Sequence, residues 1–305
     1  MDDLDPQLLR VLRAVRDAGS ISRAAAALGY SQPAVSQLLA RAERRTGHEL
    51  VLRGARGVTL TESGHVLADH ALAVQAALAA AREDLDAVGS LARGRVRIAG
   101  FPSASSTLVP AVLATMARAT PGVTTSYVEA EPPEAVELLR RGDVDVALTF
   151  SHALQGDDVA ADPTLTSRVL GRDPLALVTP AAAPGHALGE VADLAAFRDE
   201  RWIGGCPRCR GHLLASCAAS GFTPDIVLET DNAAAVVGLV AAGLGVALLP
   251  RLALTTTVVP PGVEVTPAGD ELARRVEVVV ARGADRVPSV RATLDAVGGA
   301  AHLLG

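Results

Sequence analysis

Residues 21–53, ISRAAAALGYSQPAVSQLLARAERRTGHELVLR, constrain the fold more than any other part of the chain. Ser20 and Ser22 stand where an N-cap belongs, and a short alanine-rich helix follows to Leu28. Gly29 stops that helix, because glycine takes the left-handed conformation at little cost. Ser31 caps a second helix and places Pro33 in its first turn, where no backbone N–H is needed. Val35, Leu38, Leu39 and Ala42 recur at helical spacing and make one buried stripe. Gln32, Ser36, Gln37, Arg41 and Arg44 then face outward, and short amide and hydroxyl groups beside arginine suit the edges of bases and the phosphates of a major groove. An ordinary helical hairpin would satisfy the apolar pattern alone. The next segment, RGARGVTL at 53–60, separates the readings: it forms a tight basic hairpin that offers Arg53 and Arg56 to phosphates. The expected division has Gln32, Ser36 and Gln37 reading bases with apolar help from Pro33, while Ser31, Arg53 and Arg56 hold the backbone and Arg41 shares the same surface.

These residues resemble the LysR-type transcriptional regulators. The matching pieces are the run Ser31, Gln32, Pro33, Ala34, Val35, Ser36, the Leu50-x-x-Arg53 pair, and the Leu60, Thr61, Gly64 pattern that opens the next helix. The family usually has a leucine before the glutamate of the second helix; this chain has Ala42 before Glu43, which trims core packing and leaves the outward side alone. The resemblance implies an all-α winged helix-turn-helix at the N-terminus, a long linker helix, and a two-lobed α/β effector domain like a periplasmic binding protein. It also implies a tetramer, with RNA polymerase as a further partner.

Composition agrees with a DNA-contacting head. The net charge is −6, yet residues 1–65 carry nine arginines against seven acids, leaving nineteen against twenty-seven for the remainder. Every basic residue is arginine and none is lysine, which reflects G+C-rich coding rather than function. No apolar run reaches the length of a membrane span and no signal-peptide pattern opens the chain, so the expectation is a cytoplasmic protein with largely reduced cysteines and no membrane partner.

Three domains follow: 1–60 as the winged head, 61–89 as a linker and dimerisation helix, and 90–305 as the effector domain. In the linker, Leu67, Ala71, Val74, Leu78, Ala81, Leu85 and Val88 are spaced as a heptad seam, which points to a coiled-coil dimer and hence to a near-palindromic operator. Gly89, Ser90 and Gly94 then read as a hinge. Beyond Arg95, short apolar strands at 96–100, 124–128, 144–150, 176–179, 201–204, 226–229, 246–249 and 276–281 alternate with helices at 108–119, 133–141, 210–220 and 232–242. That alternation predicts mainly parallel sheets with both faces covered. Together with the resemblance, it places lobe I at about 95–163 and 270–305, and lobe II at about 164–269.

Ligands of open α/β sheets sit at strand carboxyl ends beside helix N-termini, which here is the cleft between lobes. The expected lining is Ser103, Ser105, Pro132, Ser151, Gly205, Cys206 and Asp231. The hydroxyl-rich segment 103–107 and the arginines Arg208 and Arg210 suggest a small organic acid or another anionic metabolite as effector. A different reading comes from Cys206-x-x-Cys209-x-x-His212-x4-Cys217: a C-x-x-C pair serves as a redox couple or half a zinc site, though the further spacings match no standard zinc set. Cys209 and Cys217 fall near the reactive cysteines of the peroxide-sensing branch of the family that this chain resembles. Burial as plain apolar residues is the simplest alternative for all three cysteines. The histidines are scattered, no nucleophile elbow or metalloprotease motif occurs, and neither an enzyme activity nor a cofactor or resident metal is expected. A transport-type solute-binding protein would share the body but lack the basic head.

Overall fold

The computed structural model describes residues 4–54, 57–88, 94–152, 162–181 and 191–304. The head begins with α1 (Pro6–Ala18), whose N-terminus is capped by the Asp5 carboxylate accepting from the Gln7 N–H at 2.9 Å. Leu8, Val11, Leu12 and Val15 on α1 supply much of the head's core, a contribution that the helix-turn-helix pattern alone did not show. Next come α2 (Ile21–Leu28) and α3 (Gln32–Thr46), joined through Gly29 at φ 72°. Val35, Leu39 and Ala42 of α3 are buried in that core and Leu38 packs against its edge. The wing is an antiparallel pair, β1 (Val51–Gly54) and β2 (Gly57–Leu60). Glu43 clamps it to α3 by accepting from the N–H groups of Leu50 and Val51 at 2.9 and 3.3 Å.

The linker is two segments, α4 (Glu62–Asp69) and α5 (Ala71–Val88), rather than one uninterrupted helix. At His70 the N–H turns back to Leu67, three residues earlier, and tightens the chain there. Gly64 is required at the start of α4, because a Cβ would run into the Leu50 carbonyl of the wing. One face of α5 lies against the effector domain through Leu72, Ala76 and Ala80, and the Glu83 carboxylate accepts from the Ser289 N–H and hydroxyl at 3.0 and 2.7 Å. Gly94 stands in paired strand with its N–H bonded to Gly122, so it is not a hinge; Gly89 and Ser90 lie outside the described residues.

The effector domain opens with β3 (Gly94–Gly100), α6 (Pro102–Ser105), α7 (Leu108–Ala119), β4 (Val123–Glu129), α8 (Pro132–Arg141), β5 (Val146–His152) and β6 (Leu165–Asp173). The second lobe holds β7 (Leu175–Pro180), β8 (Arg201–Gly204), α9 (Pro207–Ala219), β9 (Asp225–Glu229), α10 (Ala233–Ala241), β10 (Ala247–Pro250), α11 (Arg251–Leu254) and β11 (Val263–Pro267). The chain then returns through β12 (Arg274–Ala281) and α12 (Pro288–Ala300). The first sheet has the order β4-β3-β5-β12-β6, in which β3 is parallel to β4 and β5, while β12 is antiparallel to both its neighbours. In the second lobe β7 pairs antiparallel with β10 and β11, and the parallel pair β8-β9 joins them through a bridge from Trp202 to Val246.

Two expectations change. The sheets are mixed rather than mainly parallel, because the second crossing brings β12 back against the direction of β5. The first crossing also falls about ten residues later than the pattern suggested: β6 bonds along β12 from Leu165 to Asp173 and belongs to the first lobe. As an edge strand with most of its side chains in solvent, β6 carries little of the apolar alternation that marks a strand in sequence. Strand β11 escaped for the same reason.

Candidate functional site

On the head, the outer side of α3 carries Gln32, Pro33, Gln37 and Arg41 exposed, with Ser36 half-buried and bonded by its hydroxyl to the Gln32 amide at 3.0 Å. Ser31 is spent partly on capping, accepting from the Ala34 N–H at 3.4 Å. Arg53 projects from the wing into solvent, and Arg56 lies outside the described residues. A helix with exposed amides, arginine at its flank and a basic hairpin beside it has the shape and chemistry that fit a major groove.

Between the lobes lies a cleft of about 460 Å³. Lobe I contributes Phe101, Ser103, Glu129, Glu131 and Phe150; lobe II contributes Gly205, Cys206, Cys209 and Asp231. Arg274, at the return crossing, forms the floor. Of the seven residues expected there, Ser103, Gly205, Cys206 and Asp231 line the cleft and three do not. Ser105 is turned inward, its hydroxyl 2.5 Å from that of Tyr127, which in turn donates to the Gly100 carbonyl at 2.9 Å. Pro132 is buried at the start of α8, so the preceding Glu131 reaches the cleft instead. Ser151 points to the opposite face of β5 from Phe150, as strand alternation demands. The hydroxyls of Ser106 and Thr107 both donate to the Ser103 carbonyl, so the segment is mostly occupied with its own backbone.

The arginines behave differently from expectation. Arg210 is paired with Glu229 at 2.7 Å, and Arg208 donates to the Phe150 carbonyl at 3.2 Å. The cleft's cation is Arg274, which the sequence reading missed because nothing local marks it. Its guanidinium is buried, meets Asp173 at 2.8 and 2.9 Å, donates to the Ser103 hydroxyl, and lies 4.8 and 4.4 Å from the ring centres of Phe101 and Phe150. Asp173 also accepts from the Leu252 N–H at 2.9 Å, so one carboxylate ties the first crossing, the second crossing and α11 together.

Opposite Arg274 the lining is acidic and sulfurous. Burial pushes the Glu131 carboxyl up from its ordinary range, and its Oε2 is buried without a hydrogen-bond partner. Asp231 is also raised, by burial and by Glu229. Cys206 is the N-cap of α9: its sulfur accepts from the Cys209 N–H at 3.4 Å and lies 3.2 Å from the Cys209 sulfur. The Cys206 thiol donates to Cys209, which pushes Cys209 down and Cys206 up. Cys217 is apart from this pair, fully buried in the second lobe's core, where burial pushes its thiol up to about 12. Thiol chemistry at the cleft therefore rests on Cys206 and Cys209 alone. Behind them, His152 of lobe I and His212 of lobe II stack with ring centres 3.8 Å apart.

A winged helix-turn-helix head carried on a two-lobed binding domain defines a ligand-responsive, DNA-binding regulator. The chain matches the family model for bacterial regulatory helix-turn-helix proteins of the LysR family over residues 6–65, and that for the LysR substrate binding domain over residues 89–301. It is 30% identical over 291 residues, 94% of each chain, to the "Probable HTH-type transcriptional regulator LrrA" of Synechococcus elongatus. It is 32% identical over 259 residues, 81% of this chain and 78% of the other, to the "Probable hydrogen peroxide-inducible genes activator" of Mycobacterium avium. Its fold is that of a full-length OxyR variant from Pseudomonas aeruginosa, with a TM-score of 0.68 at 19% identity, covering 100% of this chain and 97% of that one. The protein is a member of the LysR family of transcriptional regulators. Members bind operator DNA through the head, take a small-molecule effector in the two-lobed domain and self-associate; they regulate transcription and are not enzymes. Among the described residues no helix is long and apolar enough to cross a membrane.

Proposed function

We propose that this regulator reads a small effector in the inter-lobe cleft, and that the effector turns positive charge or hydrogen-bond donors toward Glu131 and Asp231. The observation that carries this reading is the charge of the lining. Glu129, Glu131 and Asp231 border the cleft, while Arg274, its cation, is already matched by Asp173. The anionic metabolite expected from the hydroxyls and arginines of the sequence would meet this acidic wall unpaired. An effector that touches Glu131 of lobe I and Asp231 of lobe II favours one arrangement of the lobes over another, and that differential affinity is what response at the head requires.

Thermal-shift screening of the full-length protein against cationic, zwitterionic and anionic metabolites tests the charge. Cations or zwitterions should raise the melting temperature, and Asp231→Asn should remove the effect. Stabilisation by simple carboxylates that survives Asp231→Asn would reverse the assignment. A second reading has its own support in the 3.2 Å approach of Cys206 and Cys209 and in the peroxide-inducible relative. In it a peroxide takes two electrons from the dithiol and leaves as water, the two thiol protons are consumed, and a Cys206–Cys209 disulfide forms. Non-reducing peptide mapping after peroxide treatment, with operator binding measured in parallel, checks it.

A further inference from the structure

The Cys206 thiol and two carboxylates, one of them with an unpartnered buried oxygen, gather at one point of the cleft, with Cys209 beside Cys206. The ligand atoms of Glu131, Cys206 and Asp231 lie within 4.8 Å of one another, and the Cys209 sulfur is 3.2 Å from that of Cys206. We infer that Glu131, Cys206, Cys209 and Asp231 form a site for a thiophilic divalent cation of the Zn²⁺ class, bridging the two lobes. This deepens the effector reading above and rests on it only for the regulatory consequence.

Three physical points support the assignment. A tetrahedral zinc takes sulfur at ~2.3 Å and carboxylate oxygen at ~2.0–2.2 Å, which sets two sulfurs ~3.7 Å apart. Glu131, Cys206 and Asp231 already stand together, and the Cys209 sulfur, beside Cys206 but outside that close group, must swing toward the carboxylates to complete the shell. Second, Glu131 Oε2 is buried with no donor, a costly state that a cation relieves. Third, the ligands sit at or next to the N-termini of α8, α9 and α10, whose dipoles partly offset the burial that raises Glu131 and Asp231 and contributes to raising Cys206. Binding releases two thiol protons to solvent; the two thiolates balance the metal charge, and the carboxylates complete the shell with added negative charge that Asp231 carries at the exposed edge of the cleft. Glu131 belongs to lobe I and the other three to lobe II, so the full set exists only when the lobes are together. His212 lies one turn beyond Cys209 and stacks on His152, outside the close group of ligand atoms, so the site is assigned without it.

The reduced full-length protein titrated with Co²⁺ supplies the test, because thiolate-bound cobalt gives an intense near-ultraviolet charge-transfer band. We expect that band at one equivalent, displaced by Zn²⁺ and absent in Cys209→Ser. Asp231→Asn, at an exposed position that does not threaten folding, should keep a weaker band and lower zinc affinity roughly tenfold or more, as should Glu131→Gln. No band, or a band unchanged in Cys209→Ser and Asp231→Asn, would overturn the site. Zinc that binds through these residues yet leaves operator affinity unchanged would sustain the metal site and sink the cleft as the effector site.

Discussion

Arg274 is the residue whose loss should cost most. With its partner Asp173 buried, Arg274→Met strands a carboxylate away from water, and breaking a buried pair from one side costs about 3–5 kcal/mol. Urea unfolding should show that loss, and Asp173→Asn combined with Arg274→Met should recover part of it. The stacked histidines add a pH dependence. Burial, then His212, then Arg274 and Arg208 push the His152 imidazole down to about 2, and burial lowers His212 as well. Because His152 stays neutral in the folded protein, its contribution is complete above the unfolded value near pH 6.5 and is lost as pH falls below it, at up to ~1.4 kcal/mol per pH unit, and the lowering of His212 acts in the same direction. The melting temperature should therefore drop between pH 7 and pH 5, and His152→Phe should flatten that slope; an equal slope in the variant would place the titration elsewhere. Trp202 bears on how such experiments are read. The second residue of β8, next to the cleft-lining Ile203 and Gly204, it is wholly buried, with its indole N–H donating to the Phe197 carbonyl at 3.2 Å. A change in its emission reports movement of the second lobe's core, not contact with a ligand.

At the scale of elements, α3 and α5 each divide their faces between two tasks. Gln32 is exposed at the start of α3 with its amide on the Ser36 hydroxyl, whereas Arg53 projects from the wing, so their variants should differ in kind. Gln32→Ala should relax sequence preference by about 1–3 kcal/mol at one base position, and Arg53→Ala should weaken all sequences alike and lower the salt dependence. Competition of operator and scrambled duplexes for each variant separates the two. On α5, Leu72 and Ala80 are spent on the chain's own core, while Leu78 and Leu85 stay 54% and 73% exposed. Leu78, Ala81 and Leu85 of the heptad seam are thus exposed, while Leu67 and Ala71 pack inside the chain. Leu78→Arg puts a charge into that seam, at a cost of several kcal/mol if it is buried against a second copy. Light scattering should then report monomers, or dimers held only through the effector domains. Unchanged mass would show that self-association uses another face.

For the whole molecule, the head is fastened to the effector domain as well as to the linker. Arg13 of α1 donates to the Gln75 side chain at 3.2 Å and to the Arg141 carbonyl, and Arg16 pairs with Asp69 at 2.7 Å. Head and lobe I are thus in contact, which gives lobe movement a route to the DNA-binding surface. Paired heads that each neutralise several phosphates should lose roughly 10³-fold or more in operator affinity between 50 and 200 mM salt, measurable by fluorescence anisotropy. Periodicity, capping residues and glycine positions made the helix-turn-helix and wing legible, along with most effector-domain strands, because each depends on residues within a turn or a strand of one another. The sequence alone thus determined the head, its outward-facing residues and the alternation that yields two lobes. Tertiary structure alone decided that β6 belongs to the first sheet, that Arg274 meets Asp173 across 101 residues, and that Glu131 faces Cys206 and Asp231 across the cleft. Those pairings join strands at the two crossings and helix starts on opposite walls of the cleft, and no local pattern records which residues distant segments will bring together.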